Sequence, residues 1–326
     1  MTSQRRLGYS VFLCTLVGAL QAGAVPVSAT EIWMWGGPRV DHPVPGWENV
    51  RAYKGDMWTP DAPWKTVSGA VKVIQFTPTN IERANEGDLR QAVADIKRRN
   101  IALAVGTGLL IRSDRCRAKT EAYVDQASLD KLFGKLRRAG ADVKYLTMDE
   151  PFFYGHRDSS PTACHESPQA LAQALVGSIA VVRKYFPNAQ FGADEVVDAS
   201  GPWVQELVGW ADTYKSVTGQ PLAFIHADDG WSEAAVRNLL PLATALKQRG
   251  IPFGVIYDAD RFNNNSDENW ARNTISHFTK LESELGVHPD HAVIETWVRY
   301  PSRVLPENAP GTLTNVVLQY IQRRSR

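Results

Sequence analysis

The chain reads as an α/β protein, a single (β/α)8 barrel with a long first βα loop, and three observations predict it. Short apolar, β-rich runs alternate eight times with amphipathic runs of helical spacing. Strands joined by crossover helices form a parallel sheet, and eight such units close it into a barrel. No Gly-rich phosphate fingerprint follows the first strand, which removes the usual sign of an open doubly wound sheet.

Residues 1–29 stand apart and read as a secretory signal peptide. Arg5 and Arg6 form a positive n-region, and Val11–Leu20 is an uncharged apolar run. Val27-Ser28-Ala29 places small residues where a signal peptidase cuts, after Ala29. The apolar run falls short of the about 20 residues that span a bilayer. The expectation is a secreted or periplasmic domain over 30–326, with no membrane association after signal removal.

In that domain the expected strands are Glu31–Gly37, Val71–Thr77, Ile101–Gly108 and Val143–Asp149, then Gln190–Val196, Leu222–Asp228, Phe253–Ala259 and His291–Val298. Leu89-Val93-Ile96, Leu129-Leu132-Leu136 and Leu171-Leu175-Ile179-Val182 mark helices between them. Ser167-Pro168 reads as N-cap and N1 proline, and Ser266 or Asp267 as the cap of the helix carrying Trp270 and Phe278. Gly140, Gly250 and Gly286 follow helical stretches where a left-handed residue is wanted. Pro38–Ser68 is a long, Trp- and Pro-rich connection, a length that calls for local structure or function.

Composition excludes several classes. Of 326 residues 44% are hydrophobic and 22% charged, an ordinary globular balance. With 36 basic against 35 acidic residues, no basic excess is left to neutralise phosphates, and no nucleic-acid partner is expected. Outside the signal the cysteines are Cys116 and Cys164, which in an oxidising compartment are expected to form a disulfide. No Cys/His spacing suits zinc. Asn263-Asn264-Asn265-Ser266-Asp267 lacks the ordered spacing of a calcium loop and reads as a polar turn. No metal and no cofactor are expected. A Gly-x-Ser-x-Gly elbow is absent as well.

A barrel of this kind builds its site from strand ends and the loops that follow them. The polar residues there are Gln75, Thr77, Thr107, Asp149, Glu150, Asp194, Glu195, His226, Asp228, Asp258, Asp260 and Glu295. Buried carboxylates are costly unless paired, so gathering them at one rim points to a polar ligand or to shifted pKa values. For Glu195 and Asp260 helix capping is the simpler role. His226 reads first as a hydrogen-bonded structural residue. Of the ten tryptophans, Trp35, Trp47, Trp58, Trp64, Trp231 and Trp297 lie at strand ends or in long loops, where indole faces suit sugar rings. The alternative is that many of them fill the core or pin the long first loop, and Trp210 and Trp270, on helical stretches, read as core. Tyr257 joins Trp35, Gln75, Asp149, Asp194, His226, Asp228, Trp231 and Trp297 as a candidate for substrate binding.

The sharpest motif is Tyr145-Leu146-Thr147-Met148-Asp149-Glu150-Pro151, a strand ending in two carboxylates and a proline that stops it. This resembles the TIM-barrel glycoside hydrolases, in which a general-acid Glu, often followed by Pro, ends strand four. The resemblance implies Glu150 as the acid, set among Met148, Phe152 and Phe153, and a late carboxylate at Glu295 in Glu295-Thr296-Trp297. Two features depart from it. Asp149 stands where those enzymes commonly have Asn, and Glu295 falls on strand eight where their nucleophile is usual on strand seven. The adjacent Asp149-Glu150 pair is similar to hexosaminidases that use the substrate's acetamido group as nucleophile. Asp258 is a third candidate for the second carboxylate. The implied activity is cleavage of glycosidic bonds in a polysaccharide or oligosaccharide. A non-catalytic carbohydrate-binding barrel and a metal-dependent hydrolase are the alternatives.

Overall fold

The computed structural model describes residues 30–38, 55–112, 120–160, 163–259, 265–297 and 299–324. The expected signal segment, residues 1–29, and Trp47, Cys116, Asp260 and Asn263-Asn264 lie outside them.

Eight parallel strands close into a barrel in sequence order: β1 (Glu31–Trp35), β2 (Val71–Phe76), β3 (Ala102–Thr107), β4 (Val143–Asp149), β5 (Gln190–Val196), β6 (Ile225–Asp228), β7 (Phe253–Tyr257) and β8 (His291–Ile294). All eight expected strands are present, several one to four residues shorter than their apolar runs. β1, followed by the longest connection, pairs with β8 from Glu31 opposite His291 to Met34 opposite Ile294, and with β2 on its other side. That closure puts Glu150 just past β4 and Glu295 just past β8. A two-residue parallel pair, Leu110–Ile111 with Tyr123–Val124, decorates the loop after β3.

Nine α-helices flank the strands among the described residues: α1 (Lys65–Ala70), α2 (Pro78–Arg83), α3 (Glu86–Arg98), α4 (Gln126–Arg138), α5 (Pro168–Tyr185), α6 (Trp203–Thr218), α7 (Glu233–Gln248), α8 (Asp267–Phe278) and α9 (Leu313–Arg324). Their ends follow the local chemistry of the sequence. The Ser167 side chain accepts from Ala170 N before Pro168, and Ser266 rather than Asp267 caps α8, accepting from Asn269 N. Gly140, Gly250 and Gly286 take φ values of 78°, 67° and 67°. No described helix is long and apolar enough to cross a membrane.

The long first connection is partly structured. Trp58 and Trp64 pack edge-to-face at 6.0 Å; Trp58 Nε1 donates to Gly37 O and Trp64 Nε1 to Met57 O. Both are buried, so of the two roles open to loop tryptophans, facing a sugar or pinning the long first loop, they take the second. Glu307 closes the segment from the far end of the chain, accepting from Thr66 N and Val67 N at the start of α1. Trp210 and Trp270 are core residues, as expected.

The barrel interior is filled by unusually large rings placed opposite glycines. Trp33, Phe224, Ile256 and Val293 form its apolar plug. A Cβ added at Gly192 would stand 2.3 Å from the Phe224 ring, and one at Gly254 2.3 Å from His226 Cδ2. Those two positions give up side-chain volume so that Phe224 and His226 can lie across the axis.

Candidate active site

At the carboxyl ends of the strands the chain sets a ring of acids. Glu150, Asp194, Glu195, Asp229, Asp258 and Glu295 are all buried, with Asp149 and Asp228 partly so. Burial comes first in raising every one of them. Asp194 and Glu195 are pushed up to about 8, Asp229 to about 7 and Asp228 to about 6. Asp149, Glu150, Asp258 and Glu295 stand well above the usual carboxylate range. Asp228 sits at the centre of this field, its charge acting on Glu150, Asp149, Asp229, Asp258 and Glu295. The neighbouring Glu150 carboxyl draws Asp228 back down.

Glu150 occupies a strained position. Its φ is +48°, a left-handed conformation rare for a residue with a side chain. The surroundings hold it there: Glu150 N donates to Asp194 O, and Glu150 O accepts from Tyr154 N. Pro151 then opens a helical turn whose free N–H groups at Phe152 and Phe153 are taken by Glu195, one to each carboxylate oxygen at 2.9 and 3.0 Å. Glu195 is therefore a cap, as its sequence context suggested. It caps the segment after β4, however, and not the helix that follows its own strand. Phe152 is buried and Phe153 partly so beside Glu150.

Asp258 is fully engaged. Trp231 Nε1 donates to one of its oxygens at 3.1 Å and Trp297 Nε1 to the other at 3.0 Å. Trp231, itself at φ +61°, stacks on His277 at 4.0 Å, and His277 Nδ1 bonds the Asp258 carbonyl at 2.8 Å. Tyr257 lies behind this stack, with its hydroxyl donating to Glu282, so it supports the rim from outside and does not reach a ligand. Trp35 is half-buried beside the core.

Other candidates lie beneath the rim. Thr147 Oγ1 donates to Gln75 Oε1, and Gln75 in turn bonds Asp194. Asp194 Oδ1 lies 2.9 Å from His226 Nδ1, and His226 Nε2 lies 3.1 Å from His291 Nδ1. Gln75, Asp194 and His226, expected as substrate-binding residues, are thus internal and hydrogen-bonded to one another beneath the rim. The sequence reading missed Glu121, Tyr154, Asp229 and His277. Glu121 reaches Tyr154 and adds to the field on Glu150; the adjacent Asp228-Asp229 was the readable signal for Asp229. Nothing local marked His277, which arrives from the last turn of α8.

Three buried carboxyl oxygens among the described residues have no partner: Glu150 Oε2, Asp229 Oδ2 and Glu295 Oε2. Asp229 uses its other oxygen in a turn with Trp231 N. The described residues bring no three His, Cys, Asp or Glu side chains into a metal-holding cluster. The expected Cys116 end of the disulfide with Cys164 lies outside the described residues.

No family model and no curated protein matches the chain. Solved structures do match its fold. Fungal β-1,4-galactanase superimposes with a TM-score of 0.52 at 10% identity, covering 90% of this chain and 100% of the galactanase. The catalytic core of xylanase A gives 0.52 at 8%, over 90% and 98%. A glucosidase from Croceicoccus marinus gives 0.49 at 12%, over 87% of this chain and 66% of the glucosidase. The fold is thus a (β/α)8 barrel, a scaffold that by itself does not fix an activity.

Proposed function

We propose that the chain is an exported glycoside hydrolase that cleaves a polysaccharide or oligosaccharide with Glu150 as general acid/base and Glu295 as the second carboxylate. One observation carries this reading. Glu150 and Glu295, at the ends of β4 and β8, each keep a buried oxygen without a partner, and the other Glu150 oxygen meets only a second rim acid, Asp228. An orphaned buried acceptor costs about 1–3 kcal/mol unless a ligand satisfies it. Strain at Glu150 supports the same reading, since left-handed non-glycine backbone collects at functional sites.

In the proposed reaction Glu150, holding its proton because burial and Asp228 disfavour its charge, gives that proton to the glycosidic oxygen. Glu295, in its ionised form, faces the developing oxocarbenium centre. It attacks directly if the carboxyls stand about 5–5.5 Å apart, or through water at about 6.5–9.5 Å. Asp258 is a positioning residue: with both oxygens held by indole N–H groups, it sets Trp231 and Trp297 as a platform for a sugar face. Asp228, the lowest of the shifted rim acids, binds sugar hydroxyls. The Cys116–Cys164 disulfide would tie the loops after β3 and β4 together beside Glu150. Glu150→Gln tests the reading through reducing-end release from a panel of polysaccharides. Loss of release at an unchanged melting temperature supports it. Unchanged release overturns the role of Glu150, and glycan binding without any release by the wild type overturns the activity.

A further inference from the structure

Beneath the rim, outside the chemistry assigned to Glu150 and Glu295, three titratable groups are joined in series along the barrel interior. Asp194 hangs from β5, His226 from β6 and His291 from the first residue of β8, with contacts of 2.9 and 3.1 Å. The rings are held in place. Phe224 stacks on His226 at 4.3 Å, Trp33 stacks on His291 at 5.0 Å and meets His226 edge-on at 4.9 Å, and Gly254 leaves the space His226 fills. Thr147 orients Gln75 so that its amide N–H groups are left to donate to Asp194. His226 is fully buried, and His291 keeps 9% of its surface exposed at the amino-terminal end of its strand, away from the rim.

A neutral imidazole carries one N–H, so this series has two self-consistent directions. In the first, the Asp194 carboxyl donates to His226 Nδ1, His226 Nε2–H donates to His291 Nδ1, and His291 carries its proton on Nε2. In the second, His291 Nδ1–H donates to His226 Nε2, and His226 Nδ1–H donates to an Asp194 carboxylate. The two differ by one proton, lost from His291 Nε2, while the negative charge appears on Asp194 two rings away. Neither ring passes through a stable cation.

We propose that Asp194, His226 and His291 form a proton line along the barrel interior, through which Asp194 exchanges its proton at the floor of the barrel without opening the rim. The line matters to the rim because Asp194 acts on Asp149, Glu195, Asp228 and Glu295. A neutral Asp194 removes a like charge and lets Glu295 ionise; this consequence alone rests on the proposed hydrolase reading. The other ionisable groups near the line are Tyr145 on β4, packed with Trp33 and Phe224, Asp290 beside His291, and Glu31 opposite it on β1. Burial holds both rings down to about 3, which disfavours an imidazolium, and holds Asp194 up to about 8.

The test is the 15N spectrum of histidine-labelled wild-type protein from pH 5 to 10, which requires no substrate. The expected result is a concerted change of His226 and His291 from Nε2–H to Nδ1–H with one shared midpoint near 8, and its loss in Asp194→Asn. An imidazolium at either ring, separate midpoints, or no tautomer change in the wild type overturns the line. Since the wild type alone decides, a poorly folding variant leaves the test intact. A failed hydrolysis assay would sink the catalytic reading and leave this one standing.

Discussion

Gly254→Ala is the sharpest perturbation of the barrel interior. The new methyl would stand 2.3 Å from His226 Cδ2 and 3.0 Å from Nε2, well inside contact distance. His226 cannot retreat, because Phe224 covers one face at 4.3 Å and Trp33 closes in at 4.9 Å. Overpacking of this kind costs about 1–3 kcal/mol. Displacing the ring also breaks its bonds to Asp194 and His291 and strands buried polar atoms, adding about 1–3 kcal/mol. The sum, about 2–6 kcal/mol, corresponds to a fall in melting temperature of roughly 5–15 °C for a domain of this size. Calorimetry of Gly254→Ala, His226→Ala and the double variant measures it. Removing the imidazole removes the clash, so the methyl should cost little in the His226→Ala background, a coupling of about 2 kcal/mol or more. Additive losses, or an unchanged melting temperature for Gly254→Ala, would refute the account of interior packing. Gly177→Ala on the exposed face of α5, where an added Cβ meets nothing within 4 Å, is the control and should stabilise by about 0.5–1 kcal/mol.

Further outcomes are expected. Glu295→Gln should abolish turnover at an unchanged fold, while Asp228→Asn should weaken it less; the reverse ranking in kcat would reassign the second carboxylate. In Asp258→Asn the new amide can accept from only one of the two indoles, so kcat/KM should fall roughly tenfold, about 1.4 kcal/mol, chiefly through KM. An equal loss through kcat alone would mean that Asp258 acts on the reacting bond. Stability should decline as pH rises from about 4 to 8. Asp194, Glu195, Asp228 and Asp229 have folded-state pKa values raised to between about 6 and 8, so their contribution is complete below the unfolded pKa and lost as pH rises through the folded one. His226 and His291, held down to about 3, work the opposite way, losing their contribution below about 6.5. The more numerous carboxyls should prevail, and a melting temperature higher at pH 8 than at pH 5 would contradict the shifts.

Much of this was readable in one dimension because it depends on local periodicity. The eightfold βα alternation, the caps at Ser167 and Ser266 and the left-handed glycines are consequences of backbone hydrogen bonding and side-chain spacing within a few residues. Asp149-Glu150-Pro151 was legible because a strand end places consecutive residues at the rim. Trp58 and Trp64 stayed open between ligand and loop packing, since position in a long loop says nothing about which way an indole turns; contacts with Phe76 and Arg99 turned them inward. Tyr257 misled for a related reason: in a strand, alternate side chains point to opposite faces, and it fell on the outer one.

What the sequence by itself determined is the barrel and the row of acids at its strand ends. Only the tertiary structure sorted those acids, because the sorting depends on partners far apart in the chain. Glu195 meets Phe152 and Phe153 across two strands, Asp258 is occupied by Trp231 and Trp297, and Asp194 turns inward to His226. Closure of the barrel makes those encounters, and it leaves Glu150 and Glu295 each with a buried oxygen still to be satisfied.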